Sequence, residues 1–334
     1  MKNGQLRCIR HRPKPASFPA SLAGLGVAGC CFLLAQLRCG GPQVRREPVE
    51  VVPAGSAFVL VSDWPETRGN VCLRKMASAD ELERQLAGIG LAGNDVAEVA
   101  VCALASDPAN TETFIASGSF RPRAVLQSLS NRGWIPETYH RYRVARSPSG
   151  GECAAAIGSN VVAFGKPAGV LAVLDVARRT AEPFCEQTPY SRMVQRYRQQ
   201  QQPVYAVVAV PQEVQDAGQA ALGLSSFACG LLGLDAVGSV LSGIPSTRAL
   251  GVTMAPAGRD YRSELGAVLS DEKAASMITG GFGLLKGLAT VLAQTPSSGR
   301  EGQEALSQAN KMAFTRDGEI VYIAMTMTAE EVLR

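Results

Sequence analysis

Two short groups of residues have the types and spacing for binding chemistry. Asp63 and Trp64 directly follow the first predicted strand, and loops at strand ends often carry binding residues. Arg141, Tyr142 and Arg143 lie in a stretch where arginines alternate with aromatic residues, which suits an anionic lipid surface or stacking on a polymer. The simpler interpretation of this second group is a solvated sheet edge that arginine protects from unwanted strand pairing.

The sequence lacks the residue sets on which most catalytic and metal sites depend. His140 is the only histidine after residue 50, so a multi-histidine metal site cannot form there and a Ser-His-Asp triad would have one candidate base. Neither G-x-S-x-G nor H-E-x-x-H occurs. Acidic residues such as Asp80 and Glu81 fall in the first turn of a predicted helix, where negative charge favours the helix dipole. We therefore assign no catalytic or metal-binding residue and expect a protein that is not an enzyme.

A glycine pattern at residues 88–93 matches the G-x-G-x-x-G of dinucleotide-binding loops. In those loops the glycines follow a strand and open a helix, so that the pyrophosphate meets the helix amino terminus. Here they follow a predicted helix and precede a strand, which is the reverse order. The pattern recurs at residues 24–29, because a chain with 34 glycines produces it readily. We therefore predict no cofactor.

Cysteine usage gives little guidance about chemistry. Nine cysteines occur, and those after residue 50 are Cys72, Cys102, Cys153, Cys185 and Cys229. Their spacing matches no zinc or redox motif, although an exported protein could pair some of them. The apolar sequence around Cys102 and Cys229 favours small buried thiols, so we predict no disulfide framework.

Residues 1–38 form a cationic and hydrophobic leader. Five basic residues precede 22 uncharged ones at 16–37, a length that can span a bilayer with the cationic flank in the cytoplasm. We expect an uncleaved membrane anchor that leaves the body on the periplasmic, extracytoplasmic side. The alternative is a bacterial lipoprotein, because Val-Ala-Gly-Cys at 27–30 resembles a lipoprotein cleavage box and would make Cys30 the lipidation site. Cleavage as a signal peptide and a cytosolic helix are further alternatives.

The positive charge of the chain is concentrated near its beginning. Residues 1–50 carry a net charge of +6, so the overall +4 leaves −2 for the rest. A pI near 8.6 invites a nucleic-acid partner, but the slightly acidic body argues against one. Apolar residues make up 46% and charged residues 19%, which argues against a disordered chain or a coiled coil. The membrane, reached through the leader, is the expected partner.

After a linker at residues 39–50, two halves at 51–190 and 191–334 repeat one order of elements, β-α-ββ-α-ββ-α. Apolar runs bounded by turn residues predict the strands and their hairpins, among them strands at 96–104 and near 139–145, and the apolar spacing in 79–88 predicts a helix. This order predicts a duplicated α+β fold with a mostly antiparallel sheet and helices on one face. The second half also holds two nearly uncharged helical stretches, 217–244 and 274–293. Three interpretations of these stretches are open: they are buried helices, they line a cavity for an apolar ligand, or they lie on a membrane surface.

One passage resembles a pattern in uncharacterised exported or membrane-tethered bacterial proteins. It reads FIASGSFRPRAVLQSLSNRGWIPETYHRYRV and continues after a gap with CAAAIGSNVVAFGKPAGVLAVLD. In those proteins a glycine-containing strand leads to a helix, a tyrosine-rich strand, and then a further strand, glycine and helix. The resemblance covers residues 56–334 if the duplication holds. It implies a duplicated α+β body and supplies no catalytic residue.

These observations favour a non-enzymatic, membrane-tethered exported protein with a binding or envelope-structural role, whose partner is an envelope protein or an apolar ligand. The first alternative is a protein that handles an apolar ligand or lipid through the helices at 217–244 and 274–293. The second alternative is a carboxylate-based enzyme. A closed apolar cavity above a few hundred cubic ångströms would favour the first alternative, and two facing carboxylates with shifted pKa values would favour the second.

Overall fold

A computed structural model describes most of the chain after the leader. The described residues are 45–187, 190–210, 247–276, 278–280, 283 and 311–333. The predicted leader, Cys30, Cys229 and the stretch 217–244 lie outside them, as does most of 274–293. Across the described ranges, no helix has the length and apolar character needed to cross a bilayer.

The described strands form one twelve-stranded sheet in which all neighbours run antiparallel. In chain order they are β1 (Ser56–Asp63), β2 (Val96–Leu104), β3 (Thr113–Gly118), β4 (Ile135–Tyr139), β5 (Tyr142–Arg146), β6 (Cys153–Ile157), β7 (Val161–Gly165), β8 (Val204–Ala209), β9 (Thr247–Ala257), β10 (Asp260–Leu269), β11 (Met312–Asp317) and β12 (Ile320–Thr328). Their order across the sheet is β11-β12-β10-β9-β8-β1-β2-β3-β7-β6-β5-β4.

The helices connect and cover these strands. In chain order they are α1 (Trp64–Gly69), α2 (Val71–Met76), α3 (Ala79–Gly88), α4 (Pro108–Thr111), α5 (Pro122–Asn131), α6 (Pro167–Ala177), α7 (Tyr190–Gln199) and α8 (Ala329–Leu333). Short 3-10 turns lie at Pro48–Val51, Gly93–Asp95 and Phe184–Glu186, and residues 272–276 are also helical. The glycine pattern at 88–93 runs from the end of α3 into the second of these turns, consistent with the order that argued against a dinucleotide loop.

Strands β1 and β8 pair at the centre of the sheet and join the two halves of the chain. From this seam, β2, β3, β7 and β6 follow on one side, and β9, β10, β12 and β11 follow in matching order on the other. The first half adds β4 and β5 as an outer hairpin, where the sequence predicted a single strand near residues 139–145. The predicted α+β class and mostly antiparallel sheet are confirmed.

Helices cover both faces of the sheet, which differs from the predicted single face. On one face, α1, α2, α3, α5 and α8 pack against the layer that contains Phe58 and Leu60 of β1. On the other face, Pro48–Val51, α6 and α7 pack against the layer that contains Val59 and Val61. Because the apolar residues of β1 are consecutive rather than alternating, both faces of the strand must be buried.

The last residues of the predicted linker at 39–50 belong to the core. Pro48 and Val49 are buried in a 3-10 turn. The backbone N–H of Arg46 donates to the side-chain oxygen of Asn160 at 3.2 Å, and the Arg46 carbonyl accepts from the Asn160 amide at 3.0 Å. The chain is therefore fixed to the folded body from residue 46 onward.

Candidate functional site

An apolar cavity of about 590 Å³ lies over the seam between β1 and β8. Its floor is a row of residues that are direct partners across five neighbouring strands: Phe114, Val101, Leu60, Ala206 and Val252. Directly opposed residues have Cβ atoms about 5 Å apart, so the row is a continuous apolar strip. Ala206 is its smallest member and lies at the seam, which leaves room above it for another group.

A second row and two helices complete the walls of the cavity. Phe58 and Val208 are cross-strand partners next to the floor, and Met76 and Leu82 reach in from α2 and α3. The two helices meet at a sharp corner, where Ser78 adopts a left-handed φ of +50°. This corner turns α3 back over the sheet and places its buried face above the seam.

Polar groups among the described lining residues are few. They are Ser78, Glu81 and Glu112, of which Ser78 and Glu112 are exposed to solvent. The Glu81 carboxylate accepts from Gln85 at 2.7 Å and pairs with Arg84 at 2.6 Å. No arginine or lysine belongs to the described lining, so none of these residues would neutralise an anionic head.

The opposite face carries a larger polar groove of about 920 Å³ between α6, α7 and the turn Phe184–Glu186. Arginines and glutamates line it in equal number: Arg46, Arg179, Arg198, Glu50, Glu182 and Glu186. Charges of both signs with access to water favour no particular ligand class. Cys185 also lines this groove, but burial raises the pKa of its thiol, so it is a weak nucleophile.

Glu98 of β2 is the described residue closest in character to a catalytic carboxylate. Burial, followed by repulsion from Glu47, raises the pKa of Glu98 to about 8, and Arg198 opposes the rise. Glu98 is not among the lining residues of the apolar cavity or of the polar groove.

The two residues of the first predicted group, Asp63 and Trp64, differ in their exposure to solvent. Asp63 is exposed, and its carboxylate accepts the N–H of Glu66 at 3.1 Å as the cap of α1. Trp64 is completely buried in the core, so it cannot act as a surface binding residue. Its position on the helix, rather than in a loop, turns the ring inward.

The second predicted group lies on the outer hairpin. Arg141 is exposed at the hairpin tip, with its guanidinium carbon 5.6 Å from the centre of the Tyr142 ring. Arg143 is exposed, and it shares a groove of about 300 Å³ with Arg123 of α5. His140, predicted as a strand residue, is an exposed turn residue with a φ of +53°.

Thiol and metal chemistry find little support in the part of the chain that is described. Cys72, Cys102 and Cys153 are buried free thiols, and Cys185 is a half-buried one. Burial raises the pKa of Cys102 to about 12 and that of Cys153 to about 11, so both stay protonated at neutral pH. No three metal-binding side chains come together within the described ranges.

Sequence reasoning missed the residues that build the apolar cavity. Leu60, Val101 and Ala206 lie in apolar runs within their strands, and such runs have the same composition whether they line a cavity or fill a core. The stretches proposed for an apolar ligand, 217–244 and 274–293, fall largely outside the described residues. The sequence offers one sign of the cavity, which is the small residue Ala206 within the apolar strand VYAVVA.

Crystal structures of TP0453 resemble this fold at low sequence identity. Crystal form III is 13% identical with a TM-score of 0.48, over 86% of this chain and 96% of that chain. Crystal form IV is 13% identical with a TM-score of 0.47, over 88% and 98%. At this distance the likeness concerns the fold alone and says nothing about function. No family model and no curated protein matches the chain.

Proposed function

We propose that this protein is a non-enzymatic, membrane-tethered exported binding protein that takes an apolar ligand in the cavity over the β1–β8 seam. The observation that carries the proposal is the row from Phe114 to Val252, an unbroken apolar floor under about 590 Å³ of space. Ligand pockets of several hundred cubic ångströms with apolar walls and few polar groups are typical of small-molecule sites. The uncharged stretch at 16–37 within the leader supports the membrane tether.

The charges at the cavity restrict the chemistry of the ligand. Glu81 and Glu112 are the only charged residues among the described lining residues, so an anionic head would meet carboxylates and no cation. An uncharged or cationic head avoids that repulsion. The ligand class is therefore an apolar molecule with a neutral or positively charged end, rather than a free fatty acid.

Filling the cavity tests the proposal. Ala206→Trp would place an indole at the centre of the floor, and we expect it to weaken binding of the neutral fluorophore N-phenyl-1-naphthylamine by about tenfold or more, a loss of roughly 1.4 kcal/mol. Fluorescence titration of the full chain measures this. Ala87→Trp, which adds the same ring at an exposed position of α3, is the matched control and should bind like the wild type.

Two results would contradict the proposal. Equal binding of the fluorophore by Ala206→Trp and the wild type would place the apolar site elsewhere, and absence of binding by the wild type would favour an envelope-structural role without a ligand. Circular dichroism of each variant shows that the fold is retained. A titration with the anionic cis-parinaric acid, expected to bind more weakly than the neutral probe, tests the assignment of the head group.

A further inference from the structure

One end of the molecule concentrates positive charge. Residues 119–147, which include α5, β4 and β5, hold six arginines and one glutamate, a net charge of +5. The rest of residues 51–334 holds 19 basic and 26 acidic residues, a net −7. We use the name arginine edge for five exposed residues of this end and one half-buried one, Trp134; the exposed ones are Arg121, Arg123, Ile135, Arg141 and Arg143.

The arginine edge is not neutralised by neighbouring carboxylates. Its nearest acidic residue in the chain, Glu137, accepts from Arg146 at 3.2 Å. Glu137 lines the groove that holds Arg123 and Arg143, but its carboxylate is already paired with Arg146. Among the described residues, no ion pair joins Arg123 or Arg143 to an acid.

Two of these arginines lie where local physics disfavours them. Arg121 precedes α5 and Arg123 occupies its first turn, which contains no acidic residue. The amino end of a helix carries partial positive charge, so cations there reduce helix stability. Their position adds to the positive field at this end of the molecule and gives no benefit to the fold.

Apolar side chains accompany the charge. Ile135 is 52% exposed, one of the few large apolar residues on the described surface, and Trp134 beside it is half-buried. Arginine with tryptophan and an exposed aliphatic residue is the composition that proteins place at the boundary between lipid headgroups and acyl chains. A soluble acidic partner would not require the exposed isoleucine.

The outer strand is poorly suited to pairing with a strand of another protein. Tyr139 and Tyr142 pair across a two-residue turn, so Pro136 and Thr138 direct their backbone groups to the free side of β4. Proline has no N–H to donate, which removes one of the few donors on this edge. The strand therefore resists addition of a further strand, and the side chains of the hairpin are what it offers to a partner.

We propose that the arginine edge docks on anionic lipid headgroups and so orients the molecule on the membrane surface. The arginines contact the phosphates, while Trp134 enters the interface on the side of Arg123 and Arg143, and Ile135 enters it from the other side of the outer strand. This end carries a net charge of +5, while the rest of residues 51–334 sums to −7, so attraction to a negative surface favours contact through the arginine edge. This inference concerns a different end of the fold from the apolar cavity and does not depend on a ligand there.

The chain contains a built-in reporter for this contact. Trp134 belongs to the arginine edge, and the other tryptophan, Trp64, is completely buried. The full chain is mixed with vesicles that contain brominated phosphatidylcholine, which quenches tryptophan on contact, either alone or with about 30 mol% phosphatidylglycerol. We expect quenching at least about twofold stronger on the anionic vesicles, and its loss at about 1 M NaCl, where the Debye length is about 3 Å. Trp134→Phe should remove the response.

A matched pair of triple variants separates this surface from net charge in general. Arg123→Gln/Arg141→Gln/Arg143→Gln should lose the extra quenching on anionic vesicles. Arg179→Gln/Arg259→Gln/Arg262→Gln changes the net charge equally at exposed positions elsewhere and should keep it. Equal quenching on neutral and anionic vesicles, or equal loss in both triple variants, would overturn the proposal. Circular dichroism of both variants shows that the fold is intact.

Discussion

At the scale of single residues, Glu98 is the titratable group whose surroundings matter most. It lies on β2 facing the Pro48–Val51 side of the sheet, near Glu47, Glu50, Asp63 and Arg198. Burial and the three carboxylates disfavour its ionised form, and Arg198 favours it only in part because it already pairs with Glu47. The folded protein therefore holds this proton to about pH 8, whereas an unfolded chain releases it near pH 4.5.

This difference makes the stability of the protein depend on pH in a defined direction. The stabilising effect is complete below about pH 4.5, falls as the pH rises toward 8, and is absent above it, because the unfolded chain binds fewer protons across that window. Glu98→Gln should remove this fall and be more stable than the wild type at pH 8.5 by about 1–3 kcal/mol. Urea unfolding at several pH values measures it.

The control for this prediction is Glu152→Gln, which removes an exposed carboxylate from a loop. It should leave the pH dependence of the wild type unchanged. Parallel pH profiles for Glu98→Gln and the wild type would mean that the native protein ionises Glu98 freely.

Single-residue roles were the hardest to foresee from the sequence. Asp63 and Trp64 are neighbours with the same local signal, yet one is a solvent-exposed helix cap and the other is the largest fully buried side chain. Their difference depends on α1, which begins directly after β1. Its start signal, a capping Asp63 followed by Pro65 and Glu66, was interpreted as a loop. The position of Glu98 within an otherwise apolar strand is visible in the sequence and indicates an unusual carboxylate. The neighbours that set its pKa are visible only in the structure.

At the scale of elements, α7 shows how a strongly charged helix is held on the sheet. Arg196 forms two 2.8 Å hydrogen bonds to the buried carboxylate of Glu264, and its guanidinium carbon lies 4.0 Å from the centre of the Tyr322 ring. The bidentate pair and the ring contact orient the helix across β10 and β12. Two glycines below it, Gly251 and Gly266, let Met193 and Tyr197 approach the backbone of the strands.

Because α7 lies so close to the strands, adding one methyl group at Gly251 should destabilise the fold. In Gly251→Ala the new Cβ would overlap the Met193 sulfur and lie 2.6 Å from the Tyr197 hydroxyl oxygen. Overpacking of this kind should lower the free energy of unfolding by about 1–3 kcal/mol. Urea unfolding followed by circular dichroism checks it.

Gly88→Ala is the matched control, because a Cβ at the end of α3 would meet open space. Its effect should be neutral or stabilising by up to about 1 kcal/mol, since alanine favours helix. Similar destabilisation by both substitutions would show that α7 adjusts to the added volume.

Elements with regular patterns were predicted well, and those without them were not. The helix at 79–88 and the strand at 96–104 were predicted with the bounds that the structure gives. Helices α1, α2 and α7 were missed, because the first two have only six residues each and α7 is polar on most of its surface. Consecutive apolar residues in β1 and β2 indicate a sheet that is covered on both faces. The prediction of helices on one face instead followed the hairpins, which are typical of antiparallel sheets with one solvent-exposed face.

At the scale of the whole molecule, the seam makes the two halves interdependent. Besides the β1–β8 ladder, the Tyr261 hydroxyl donates to the side-chain oxygen of Asn70 at 3.0 Å, and the Lys75 ammonium donates to the Leu333 carbonyl at 2.9 Å. The apolar cavity has its floor in both halves, so neither half could build it alone. This placement could not be predicted, because it depends on which strand of each half meets the other.

We therefore expect the body to unfold as one cooperative unit. Both tryptophans belong to the first half, so their fluorescence reports that half, whereas far-UV circular dichroism reports both. The two signals should give the same urea midpoint and the same slope. Two separate transitions would mean that each half is a domain with its own stability.

The β1–β8 seam also sets a time during which the nascent chain is incomplete. Phe58 pairs with Val208, so β1 leaves the ribosome 150 residues before its partner strand. At common synthesis rates this delay is roughly 10–30 s, far longer than a hairpin needs to form. Throughout it, β1 can pair with β2 but presents an open edge with Leu60 and Val61 uncovered, the kind of surface that chaperones bind and that aggregates begin from. Slower synthesis would lengthen this exposure, and a chaperone that holds β1 until β8 emerges would raise the yield of folded protein.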